Sequence, residues 1–168
     1  PNTYVHKIGD QINFSITDLD TDTNSNITAE LLYIGKETYF FAPSYLNLSS
    51  TNAYLKSMMS DFENNTIPIV RKSFGQEWSP GIDGDRRIYI LYTDGLGSSV
   101  GGYYSRNDQY SKLAHKYSNE KEMFYINADT VDLDGEYIRR VLAHEFQHMV
   151  HWANDQNDET WINEGASM

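Results

Sequence analysis

At 168 residues the chain is sized for one domain and can bury a sizeable core. Its net charge of −11 and pI of about 4.7 set it against nucleic acid, whose phosphates it would repel. The absence of cysteine excludes disulfides and thiolate metal sites, leaving His, Asp and Glu as ligands, and no apolar run approaches a membrane span in length.

Residues 1–42 read as strands. Residues 11–17 alternate apolar and polar side chains, so one face is buried. Residues 27–34 and 37–42 continue the pattern across a tight turn at Gly35-Lys36, which predicts a small antiparallel sheet. That sheet is either an accessory domain or an addition to the main sheet. Asp18, Asp20, Asp22 and Asn24 occupy alternate positions, as at the start of a calcium loop. Thr23 and Ala29 stand where such a loop needs Gly and Glu, so a solvated loop between strands is the preferred reading, with structural Ca2+ as the alternative.

Residues 51–74 read as helix. Leu55, Met58, Met59 and Phe62 form its apolar stripe, Ser50 or Thr51 is the expected cap, and Pro68 is expected to kink or divide it. Residues 75–85 form a Gly/Pro/Asp loop, in which Asp83-Gly84-Asp85 is a turn or, less favoured, a second calcium position. Residues 87–92 are a nearly continuous apolar strand, as expected near a sheet centre. The glycine-rich stretch 95–102 lacks the Gly-Lys-Ser/Thr ending of a phosphate loop. Residues 106–121 are polar, with His115 read as a surface residue, and residues 124–128 form the last strand.

From 136 to 152 no Pro or Gly interrupts the chain. Ile138, Val141, Leu142 and Met149 recur at helical spacing, and Asp134 is the expected N-cap. Inside this helix lies His144-Glu145-Phe146-Gln147-His148. Histidines four apart sit about 40° apart around the axis and one turn apart along it, so both can reach one tetrahedral metal ion. Glu145 flanks the same face, where a carboxylate can take a proton from water at the metal. His151 lies seven residues past His144, about 10.5 Å along the helix, and cannot share that ion. A catalytic zinc takes three protein ligands, so one more is needed.

After a polar, turn-forming loop at 153–158 comes Glu159-Thr160-Trp161-Ile162-Asn163-Glu164-Gly165. An HExxH helix followed by this phrase resembles the gluzincin metallopeptidases, and among them the hyicolysin-like secreted bacterial and archaeal zinc peptidases. Trp78-Ser79-Pro80-Gly81-Ile82-Asp83-Gly84-Asp85 and Met123-Phe124-Tyr125-Ile126-Asn127-Ala128-Asp129 fit the same picture. The likeness covers roughly residues 60–168. It implies an α+β fold with a zincin-like catalytic subdomain, in which a mixed sheet packs on helices that include the metal-binding one. It implies Zn2+ as cofactor, His144, His148 and Glu164 as ligands, and Glu145 as catalytic base.

Residues 101–105 occupy the place of a substrate-pairing edge strand in such folds; a plain glycine loop is the equal alternative. Two departures stand out. Fifteen residues separate His148 from Glu164, fewer than in thermolysin-like enzymes. Met168 stands where those enzymes carry an aspartate.

The expected organisation is a small antiparallel β region at 1–46 and the catalytic subdomain at 47–168, truncated at its C-terminus. A Tyr or His that stabilises the intermediate is expected beyond Met168. The expected function is a secreted, prokaryotic zinc-dependent metalloendopeptidase acting on protein or peptide substrates, with no nucleic-acid partner and no membrane span. The alternative is a catalytically inactive binding or structural module on the same scaffold. Cleavage preference and oligomeric state are not legible in the sequence.

Overall fold

The computed structural model describes residues 5–154. They fold as an α+β unit with strands β1 (Gln11–Asp18), β2 (Thr23–Ile34), β3 (Thr38–Ala42), β4 (Ile88–Thr93), β5 (Gly102–Tyr104) and β6 (Met123–Asn127). The helices are α1 (Ala53–Asp61), α2 (Ile67–Phe74) and α3 (Tyr137–Asn154). No helix among the described residues is long and apolar enough to cross a membrane.

The described strands make one sheet in the order β1-β2-β3-β4-β6-β5. β3, β4 and β6 run parallel, and the other neighbours are antiparallel. The first three strands therefore extend the same sheet that carries β4 to β6, through the parallel register Thr38↔Ile88 to Phe41↔Leu91. β4 is buried along its whole length because its two faces feed two cores. Ile88, Ile90 and Tyr92 meet the helices, while Tyr89 and Leu91 pack with Phe14, Phe41 and Tyr125 on the opposite face. That double burial explains its unbroken apolar sequence.

Several local expectations are corrected. The cap of α1 is Asn52, whose side chain accepts from Leu55 N at 3.1 Å. Thr51 instead donates its N–H to Ser49 Oγ in a turn just before it. Pro68 divides the helix, as one of the two expectations had it: residues Phe62–Thr66 wind as a π-helix between α1 and α2, and Pro68 falls in the first turn of α2.

The π-helical stretch also places Glu63 against the β2–β3 turn. Its carboxylate accepts from the N–H groups of Lys36 and Glu37 and from Thr38 Oγ1. Asp134 does not directly precede α3, which starts at Tyr137; a turn closed by Gly135 N donating to Asp132 O comes first. The Asp18–Asn24 stretch is a hairpin connection, as preferred. Asp18 accepts from Asp20 N, and Asp20 accepts from the N–H and hydroxyl of Ser98.

Candidate metal and active site

α3 buries Ile138, Val141, Leu142, Phe146, Met149 and Val150 in the core shared with α1, α2 and the sheet. This stripe fixes the rotation of the helix and so decides where its polar side chains point. His144 and His148 face each other with Nε2 atoms 3.1 Å apart and rings nearly perpendicular at 80°. Two nitrogens bound to one tetrahedral zinc at ordinary bond lengths lie about 3.3 Å apart, so the pair fits that ion. Burial, with His144 and His151 nearby, lowers the His148 pKa to about 4, which keeps its ring neutral and its lone pair available.

Glu145 is 4% exposed, with Oε1 3.9 Å from His144 Nε2. Burial pushes its carboxyl up to about 8, making it a stronger base than a solvated carboxylate.

A cavity of about 380 Å³ opens beside His144 and Glu145. Its far wall is Val100, Gly101 and Gly102, at the start of β5. β5 lies at the edge of the sheet, paired on one side with β6 in the register Gly102↔Ile126 to Tyr104↔Phe124. Gly102 is what lets this strand lie against α3. A Cβ there would stand 2.4 Å from the Tyr125 carbonyl oxygen and 3.0 Å from Val141 Cγ1.

At the other end of α3, Trp152 packs against Trp78 and Tyr110, with ring centroids 5.7 and 5.9 Å away. These contacts fasten the loop before β4 and the loop between β5 and β6 to α3. Asn154 adds a hydrogen bond from Nδ2 to Gln76 O at 2.8 Å.

The structure thus brings together His144, Glu145 and His148. Glu164 and the whole 159–165 phrase lie outside the described residues. Among the described residues no group of three His, Cys, Asp or Glu side chains is placed to hold a metal ion, and the described part of the site contains two of the three expected ligands. His115 is part-buried, packs on Tyr110 at 5.4 Å and lines a different cavity. Tyr137 and Arg140 also line the cleft and were not singled out from sequence. Their signal was available: they precede His144 by seven and four residues, which places them on its face of the helix.

No protein-family model matches the chain. A curated relative does: the chain is 30% identical over 183 aligned positions to the neutral metalloprotease ShpI of Staphylococcus hyicus. The alignment takes in 96% of this chain, and the chain spans 40% of the length of that relative. The match supports a metalloprotease relationship for this chain.

Proposed function

We propose that this chain carries the zincin-like catalytic subdomain of a secreted zinc-dependent metalloendopeptidase. The observation that carries the reading is the His144–His148 pair, with Nε2 atoms 3.1 Å apart, set beside the buried Glu145 and the last strand of the described sheet, β5. The relative named a neutral metalloprotease supports it.

His144 and His148 would hold the ion, with Glu164 as third ligand on the strength of the family resemblance. Zinc, when bound, supplies a Lewis acid that lowers the pKa of water toward about 7. Glu145 takes a proton from the attacking water and returns it to the departing amide nitrogen. The water oxygen bonds to the peptide carbon, and the C–N bond breaks. The outer edge of β5 offers backbone N–H and C=O groups to an extended peptide, and Gly101 and Gly102 keep that strand close to α3.

The test uses the longest available form of the protein. Zinc analysis should give one ion per chain, and casein hydrolysis should stop on chelation and return with zinc. Glu145→Gln should keep the ion and lose turnover by about 10²–10⁴-fold. Hydrolysis at the wild-type rate in that variant would remove Glu145 from the mechanism.

A further inference from the structure

The cleft beside His144 carries a charge that peptide hydrolysis as such does not require. Residues 137, 140, 141, 144 and 145 follow the i, i+3, i+4, i+7, i+8 spacing of one helix face. Two consecutive arginines on α3 have different surroundings. Arg139 turns to α1, with Nη1 2.8 Å from Asp61 Oδ2 and Nη2 within reach of Ser57 Oγ. Arg140 is exposed and lines the cleft. Among the described residues it makes no ion pair or hydrogen bond. Arg71 and Arg87 are each bonded, to Glu77 and to the Gly35 carbonyl. In a chain of net charge −11, an unengaged arginine facing the reacting groups stands out.

We propose that Arg140 makes this cleft a carboxylate-reading subsite, selecting peptides that place a carboxylate beside the scissile bond. The proposal rests on the peptidase reading above. Arg140 lies one turn, about 6 Å of helix rise, before His144 and lines the same cavity, so its guanidinium can meet a peptide side chain or terminus bound beside His144. Its planar fork can grip a carboxylate through two parallel hydrogen bonds. Val100 and Val141 give the cavity an apolar floor for a methylene stem, and its volume of about 380 Å³ leaves room for one side chain. Glu145 lines the same cavity but carries no cation that could hold a carboxylate there. Arg140 supplies the positive charge of the lining. An acidic side chain and a peptide's own C-terminus both supply such a carboxylate.

Matched peptides separate these sources. The zinc-loaded protein, in its longest available form, is given blocked peptides with Glu or Gln at each position flanking the cleaved bond. A second set has a free or an amidated C-terminus one residue beyond that bond. The expected result is a kcat/KM about tenfold higher for the carboxylate member of one set, shrinking with added salt. The set that shows it identifies the source. Arg140→Gln should collapse the ratio toward one, and Arg140→Glu should invert it in favour of the uncharged member. Equal cleavage of both members of each set, or a preference that survives in both variants, overturns the proposal while leaving the peptidase reading standing. Failure to cleave any peptide with zinc bound overturns both.

Discussion

Glu122, the residue before β6, offers a sharp test of how burial sets stability in this fold. It is 3% exposed, and neither carboxylate oxygen has a hydrogen-bond partner of good geometry. It lies against the backbone of Gly81, where a Cβ would stand 1.6 Å from Oε1. Burial first, then the neighbouring Asp83 carboxylate, push its pKa from 4.5 to about 8. The folded protein therefore binds this proton more tightly than the unfolded chain does. The associated stability is fully present below pH 4.5 and is lost as pH rises toward about 8.

At about 1.4 kcal/mol per pKa unit the full shift amounts to about 5 kcal/mol. Asp83, more exposed than Glu122, is also raised, so the mutual repulsion is divided between the two carboxyls and the expected effect falls to about 2 kcal/mol. Glu122→Gln keeps the shape and has no proton to lose. Urea denaturation followed by circular dichroism, with zinc held constant, should show the variant within about 1 kcal/mol of wild type near pH 5. Near pH 8 the variant should be about 2 kcal/mol more stable, or roughly 6 °C higher in Tm. Parallel stability curves for the two proteins across this range would refute the assignment of a buried, proton-holding Glu122.

Two further substitutions probe the parts that position the site. Gly102→Ala places a methyl group against backbone that cannot yield, so it should lower stability by about 1–3 kcal/mol and reduce peptide hydrolysis; thermal melts and kcat/KM measure both. Tyr125→Phe removes a hydroxyl that donates to Asp108 Oδ2 and accepts from Asn119 Nδ2, both at 2.7 Å. Leaving Asp108 short of a donor should cost about 1–3 kcal/mol in denaturant titration and raise its carboxyl above its present value of about 6, which carbon-13 NMR of the carboxyl would report.

The parts of this molecule legible in its residues are those governed by short-range geometry. His144, Glu145 and His148 lie within two turns of one helix, so their relation follows from helical pitch alone. β4 announced its double burial because both faces of a strand appear in six consecutive residues. What the residues did not show depends on partners distant along the chain. Nothing local in Thr38–Ala42 tells that β3 will lie parallel to β4, some fifty residues on.

Nothing local separates Arg139 from Arg140 either. One finds Asp61 and the other the cleft because packing of the apolar stripe sets how α3 is rotated. Asn52 won the cap from Ser50 and Thr51 because the start of α1 is set by where Leu55, Met58 and Met59 enter the core. Glu122 became a buried, proton-holding group only when the loop carrying Gly81 and Asp83 closed over it. Spacing along one element decides which groups can share an ion, and long-range packing decides which charges end up facing it.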